Sequence, residues 1–316
     1  MADRTTVHPA LLGRRHPGDI VRVVGGAVVF AAGAALAHEG DVGTGERDLF
    51  RLVNDLPKAL EVPLMVVMQA GTLGAVPVAA AACLLARRPK AALQVGIAGV
   101  AAWRMAKVLK PAVNRGRPGD MIADVVIHGA HVSGLGFPSG HSAVAAAIAG
   151  SLAPFVPRPV RRVLWGTALA VALARMYVGA HLPLDVVGGL ALGWFLASVV
   201  NLTLGTPGGV ATVEGVTAAF TEAGLRPFSV RAASVDARGS SPFFAETEDG
   251  RRLIVKAIGR EQRDGDVLFK LWRLIALRGI KDETPFISPK LRRFPARAGP
   301  DRRRCARLRP GRRSRR

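Results

Sequence analysis

Two cysteines are all that this 316-residue chain contains, Cys83 inside an apolar run and Cys305 near the end. That excludes a disulfide framework and a cysteine-built zinc site. Aromatics are scarce too, at 5% with a single tyrosine, so Ala, Val, Leu and Gly supply most of the apolar character. Such small side chains suit helices that pack closely in lipid. Acidic residues number 23 against 44 basic ones, for a net charge of +21. An excess of that size invites a nucleic-acid reading, but its position argues against one. From Lys290 to Arg316 thirteen basic residues stand against Asp301, so this short stretch alone carries +12. Rich in Arg, Pro and Gly, it reads as a disordered tail that touches anionic lipid or RNA without specificity. No cleavable signal is expected either. The first twenty residues are largely polar, and His38-Glu39-Gly40 follows the first apolar run where a small-residue cleavage site would stand.

What the chain does have is apolar length. Mean hydropathy is +0.25 despite all the arginine, and six apolar segments run over about residues 23–37, 62–86, 91–109, 142–155, 163–178 and 186–204. Several are shorter than the roughly 20 residues that a lone spanning helix needs, yet stretches such as 76–86 and 186–200 carry no charge on any face, which a soluble bundle would not tolerate. The expectation is an all-α membrane protein, a six-span helical bundle. Arg14, Arg15 and Arg22 precede the first span, Arg87, Arg88 and Lys90 follow the second, and Arg158, Arg161 and Arg162 follow the fourth. Basic residues in short connections mark the cytoplasmic side, so both termini face the cytoplasm. The first outer connection holds Glu39, Asp41, Glu46, Asp48, Asp55 and Glu61. The expected domains are a cytoplasmic N-terminal segment (1–22), a membrane domain (23–204), a small soluble α+β appendage (205–289) and the disordered basic tail (290–316). In the appendage a helix is expected over 213–223, strands over 228–235, 243–247 and 252–258 with a hairpin turn at Glu248-Asp249-Gly250, and an amphipathic helix over 266–277.

Three clusters carry chemistry. Lys110-x6-Arg117-Pro118 follows the third span, Pro138-Ser139-Gly140-His141 opens the fourth, and Arg175-x5-His181-x3-Asp185 joins the fifth to the sixth. Because helices alternate direction across a bilayer, all three fall at one face, by the charge argument the outer one. Lys110, Arg117 and Arg175 are three cations around one polar place and want a multivalent anion; arginine supplies a fork that matches phosphate oxygens. Ser139 and Gly140 stand at a helix start, where free N–H groups and the dipole favour an anion. Asp185 can accept Nδ1–H of His181 and leave Nε2 as a nucleophile, while His141 can protonate a leaving oxygen and then activate water. Taken singly each cluster has a bland reading: headgroup anchoring, helix capping, a structural His–Asp pair. Together, in order and at this spacing, they do not.

The set resembles the type 2 phosphatidic-acid phosphatase superfamily, whose pattern is Lys-x6-Arg-Pro, Pro-Ser-Gly-His and Ser-Arg-x5-His-x3-Asp. The resemblance covers mainly residues 100–200. It implies phosphate binding by Lys110, Arg117, Ser139, Gly140 and Arg175, with His141 as acid/base, His181 as nucleophile and Asp185 as its orienter, and no metal or other cofactor. Ala174 stands where the family often has Ser. His128 and His131, in the same outer connection, are expected to line or cover the site. Fainter is the likeness of Arg238-Gly239-Ser240-Ser241, a hairpin and residues 253–258 to the start of a kinase-like N-lobe with Lys256 as the strand lysine. No catalytic-loop or metal-binding Asp follows, so Lys256 is better read as a lysine on the wet face of an edge strand. The abrupt change of composition at the tail suggests a truncation or a shifted reading frame.

These readings converge on a multi-pass cell-membrane lipid phosphate phosphatase acting through a phosphohistidine, with an outward-facing site. Its partners are a lipid phosphate substrate (a polyprenyl pyrophosphate or a phosphatidic-acid-like lipid) and membrane lipids, and no specific nucleic acid. The sequence carries no signal for an oligomeric state. The rival readings are a non-catalytic lipid-phosphate-binding or flippase-associated module, a soluble haloperoxidase of the same superfamily, and a nucleic-acid-binding protein.

Overall fold

The computed structural model describes residues 17–257 except 39, 130–132, 208–211, 223, 225, 234–240 and 249. The chain divides into two compact units, Met1–Arg278 and Gly279–Arg316. The second lies outside the described residues, as do the helix expected over 266–277, His131 and the basic tail.

The first unit is mostly helical. Its helices are α1 (Pro17–His38), α2 (Thr44–Asn54), α3 (Glu61–Met68), α4 (Ala75–Leu85), α5 (Pro89–Val113), α6 (Pro118–Met121), α7 (Gly140–Leu152), α8 (Arg158–Tyr177), α9 (Pro183–Leu204) and α10 (Val213–Glu222). Proline opens several of them, as at Pro89, Pro118 and Pro183, where its missing N–H would have no partner anyway. Asn114, in the left-handed region at φ 52°, stops α5.

Helix α7 is the axis of the bundle. Every residue from Ser142 to Ser151 is buried, enclosed by α5, α8 and α9. Glycine makes the close approach possible. A Cβ on Gly193 would stand 2.1 Å from the Ala143 carbonyl oxygen, and one on Gly189 would stand 2.4 Å from that of Ser139. Backbone contact of this kind replaces the hydrophobic drive that helices lack in lipid. On its other side α9 packs on α1, where Gly26 admits the Phe195 backbone.

The six expected crossings are not what length and composition show. Among the described residues three helices are long and apolar enough to span, Gly18–His38, Pro89–Met121 and Pro183–Leu204, or four if the bent pair Lys58–Gly71 and Ala75–Leu85 forms one span. Each of the remaining segments departs for a physical reason. The second is broken by 69° at the turn beginning with Thr72. α7 has 13 residues, short because its buried backbone ends where the site begins. α8 carries Arg158, Arg161, Arg162 and Arg175.

The expected α+β appendage is present as α10 followed by an antiparallel meander, β1 (Pro227–Ala232), β2 (Ser241–Thr247) and β3 (Arg252–Ala257), in the order β1-β2-β3. Val216 and Phe220 of α10 bury against Phe243 and Ala245 of β2. The turn closes as expected, with Gly250 at φ 78° and its N–H bonded to Thr247 O. Lys256 pairs with Pro242 across β3 and is exposed, the wet-face position expected of it.

The α7–α9 contact yields a direct expectation. Gly193→Ala should force the helices apart and lower stability by roughly 1–3 kcal/mol, the usual cost of overpacking, read as a lower thermal unfolding midpoint in detergent. Gly166→Ala, where an added Cβ meets nothing, should leave the midpoint unchanged.

Candidate active site

Four helix ends build the site: the C-terminal ends of α5 and α8 and the N-terminal ends of α7 and α9. Backbone bonds lock them together. Ser139 N–H donates to Asp185 O at 2.9 Å, tying the start of α7 to the start of α9, and Gly136 N–H donates to Arg115 O at 2.8 Å, tying the loop before α7 to the end of α5. A Cβ on Gly136 would meet Gly116 O at 2.6 Å and Asp185 Oδ2 at 2.8 Å, so only glycine lets this loop lie so close.

Each cation of the sequence pattern is held by neutral oxygens or sulfur. Lys110 Nζ donates to Leu135 O at 2.5 Å and Gly136 O at 3.0 Å. Arg117 donates from Nε to Ser133 O at 3.1 Å and from Nη1 to Ala180 O at 2.7 Å, bridging the loops before α7 and α9. Arg175 is 6% exposed; its Nη1 stands 3.2 Å from Met68 Sδ and its Nε is buried without a hydrogen bond. Among the described residues none of the three stands in an ion pair. Asp185 and Asp120 offset part of their repulsion through space, and an anion with several oxygens would relieve the rest.

The helix-start residues lie beside them. Ser139 is fully buried as the N-cap of α7; its Oγ accepts from Ser142 N–H at 3.5 Å and from Ser142 Oγ at 3.0 Å, which leaves its own proton free to donate. Gly140 and His141 are half-buried on the first turn.

His181 is 3% exposed, and its Nδ1 lies 3.4 Å from Asp185 Oδ2, too long for an aligned hydrogen bond. Burial, then the charges of Arg175, Lys110 and Arg117, hold its imidazole well below the ordinary histidine range. It is therefore neutral, with a ring nitrogen lone pair available. Asp185 is held at both oxygens, Oδ2 by Leu182 N–H at 2.9 Å and Oδ1 by Arg115 Nη1 at 3.3 Å. A shallow cavity lined by Arg117, Ile127, Ser133, Gly134, Gly179 and Ala180 opens at this end. Thus all eight side chains or backbone positions singled out in the sequence meet at one end of the bundle.

The sequence model of the PAP2 superfamily matches residues 89–206. Lipid A 1-phosphatases of Rhizobium etli and Rhizobium johnstonii are each 37% identical over 97 residues, 29% of this chain and 41% and 39% of theirs. The chain thus spans about two fifths of the curated relatives it matches. Two solved structures are similar. One is the first transmembrane PAP2 type phosphatidylglycerolphosphate phosphatase from Bacillus subtilis, with a TM-score of 0.49 at 25% identity, covering 57% of this chain and 94% of that one. The other is Aquifex aeolicus LpxE, with a TM-score of 0.42 at 24% identity, covering 49% and 93%. The PAP2 match ends before the meander, and nothing supports the kinase-like likeness around Lys256.

Three further groups belong to the site's surroundings, Glu46 and Asn54 before the matched segment and Arg115 within it. Glu46 of α2 reaches Arg115, a residue inside the Lys110-x6-Arg117 spacing that was passed over. Its proximity to Arg117 was the one available signal, since an acidic residue in an outer connection is solvated by default. Asn54, at the end of α2, has Nδ2 on Val126 O and Tyr177 O, each at 2.8 Å, and accepts from Val126 N–H at 2.9 Å. It staples the loop after α6 to the end of α8. His128 in that loop stacks on Tyr177 with ring centroids 4.1 Å apart and bonds Asn54 O at 3.1 Å, so it covers the site's flank.

Asn54→Ala would leave Val126 N–H, Val126 O and Tyr177 O without partners. The expected cost is roughly 1–3 kcal/mol for a buried group so exposed, checked by thermal unfolding of the purified variant; an unchanged midpoint would show that the staple is dispensable.

Proposed function

We propose that this protein is an integral membrane lipid phosphatase that works without a metal, through a phosphohistidine. The observation that carries the proposal is the meeting, at one end of a helical bundle, of three cations held by carbonyl oxygens and sulfur with a buried histidine whose Nδ1 lies 3.4 Å from Asp185 Oδ2. Lys110, Arg117 and Arg175 surround the non-bridging oxygens, Ser139 Oγ–H and the N–H groups at Gly140 add donors, and the charge that spreads over the phosphoryl group in the transition state is stabilised most. Nε2 of His181 attacks phosphorus as the bond to the lipid oxygen breaks. The bound phosphate offsets the Arg175 and Arg117 charges that act on His141 and favours its imidazolium, which gives that oxygen its proton. His141 then takes a proton from water, whose oxygen attacks phosphorus and releases phosphate and His181. Asp185 orients His181 and balances the positive charge that its ring acquires.

The substrate is a phosphate or pyrophosphate at the head of a membrane lipid, of the polyprenyl or phosphatidic-acid class. What supports this class is the site's place at the helix ends, where a headgroup can enter while the acyl or prenyl chain stays in the bilayer, and the lipid A 1-phosphatase name of the 37%-identical relatives. The chain crosses the membrane six times in this reading. α1, α5 and α8 run toward the site, and α7 and α9 run away from it. The broken pair α3–α4 returns to the other end, where Arg88 bonds Phe155 O and Gln94 bonds Gly205 O at 2.8 Å. The basic connections at that end put it in the cytoplasm, with both termini, and the site outside. Residues 1–22, 23–204, 205–289 and 290–316 serve as N-terminal segment, membrane phosphatase domain, soluble appendage and basic tail.

Phosphate release from a panel of lipid phosphates in detergent should persist in chelator and be inhibited by vanadate, which adopts the trigonal-bipyramidal geometry. Activity lost in chelator and restored by a divalent ion would sink the metal-free mechanism. His181→Ala should abolish acid-labile phosphate incorporation, and His141→Ala should slow turnover by about 10²–10⁴-fold. Labelling that survives in His181→Ala but not in His141→Ala would reverse the two roles. A protein that binds vanadate but turns over no lipid would be the non-catalytic module instead.

Truncation after Leu204 should leave specific activity within a few-fold, because every proposed site residue precedes it. Loss of phosphatase activity in a well-folded truncate, or ATP-dependent phosphotransfer that disappears in Lys256→Ala, would overturn this division.

A further inference from the structure

Arg115 is almost fully buried at 2% exposure, yet it touches two carboxylates. Its grip on them is unequal. Glu46 receives a fork, Nη2 to Oε2 at 2.6 Å and Nη1 to Oε1 at 3.0 Å, whereas Asp185 Oδ1 receives only the long contact from Nη1 at 3.3 Å. Glu46 also accepts the Leu184 N–H at 2.9 Å, in the first turn of α9 and next to Asp185. Its helix is anchored by Phe50 and Val53, which bury with Tyr177, Leu182 and Val186. Three remote segments thus converge on the carboxylate behind His181.

We propose that Glu46 is a positioning residue for the Asp185–His181 pair, acting through Arg115, so that α2 belongs to the catalytic machinery although it lies outside residues 89–206, the segment that the PAP2 model matches. The inference rests on the phosphatase reading for what the pair does, but its physical content is separate. A buried arginine facing Asp185 alone would close on it in a fork and neutralise it. An aspartate so held is a poor acceptor for an imidazole N–H. Glu46 takes the fork instead, so the cluster of Arg115, Glu46 and Asp185 keeps a net charge of −1. Arg115 then fixes the Asp185 carboxylate in place without cancelling the charge it presents to His181. The Leu184 contact sets the angle of the α9 start from which Asp185 projects.

Glu46→Gln tests this with little change of shape: the amide oxygen keeps the acceptor for Leu184 N–H and Arg115 Nη1, while the amide NH2 replaces the oxygen that accepts from Arg115 Nη2, so the charge and half of the fork are lost. In the full-length protein kcat should fall by about 10- to 100-fold, the scale of losses when the support of an oriented imidazole is removed, with KM within about twofold of wild type. Removing an anion near His181 disfavours its protonated form, so the acid limb of the kcat/KM profile should move to lower pH by roughly half a unit. Glu46→Asp, which keeps the charge at shorter reach, should recover part of kcat. Arg115→Met should lose activity, and adding Glu46→Gln to it should cost little more, because the two residues act in series.

Wild-type kcat and pH profile in Glu46→Gln would overturn the proposal, as would losses for Glu46 and Arg115 that simply add. If Glu46→Gln does not survive purification, the Glu46→Asp split between kcat and KM decides in its place. Wild-type protein that releases phosphate from no lipid would sink the phosphatase reading instead. The inference is then read by nitrogen NMR of labelled histidines, with the His181 signal assigned by its loss in His181→Ala. A titration midpoint for His181 lower in Glu46→Gln than in wild type supports the link, and an unmoved midpoint refutes it.

Discussion

Asp185 is the point on which the site hangs. Its carbonyl oxygen accepts the Ser139 N–H, its Oδ2 accepts the Leu182 N–H, and its Oδ1 meets Arg115. One fully buried residue therefore joins the starts of α7 and α9 to the end of α5, and does so while facing His181. A buried carboxylate costs several kcal/mol unless its oxygens find donors, and here the donors come from the elements that must be held in register. Meeting that cost and fixing the register of these elements are the same event.

Charge explains the rest of the local arrangement. The three cations of the pattern are held by carbonyl oxygens of Ser133, Leu135, Gly136 and Ala180 and by Met68 sulfur, which fix position without cancelling charge. Glu46 and Asp185 are instead engaged by Arg115, and burial keeps water from screening these charges.

The scaffold that holds these groups apart is rigid for a geometric reason. α7 is only 13 residues long and buried along its length, and α9 lies against it where Gly189 and Gly193 bring backbones into contact. A helix end so enclosed cannot tilt, and Ser139, Gly140 and His141 ride on its first turn. Asn54 does the same for the outer loop, replacing what would be a free connection with three bonds to backbone.

The sequence by itself determined the helical class and the three-strand meander, and it set the eight candidate residues at helix ends that the fold brings together. Apolar runs and helix-start signals are local, and the alternation of helices across a bilayer brings the ends of α5, α7, α8 and α9 to one side whatever their packing. Even the exposed place of Lys256 followed from strand alternation. Tertiary structure alone decided the rest. The break at Thr72, the shortness of α7 and the arginines tolerated in α8 depend on what each segment packs against, so counting apolar residues could not give the number of spanning helices. Glu46 stands 69 positions before Arg115 in a connection that looks solvated, and nothing near it in the chain marks it as buried. Only the folding of α2 against Tyr177 and Leu182 removes it from water, and only then must its charge find the arginine that also holds Asp185.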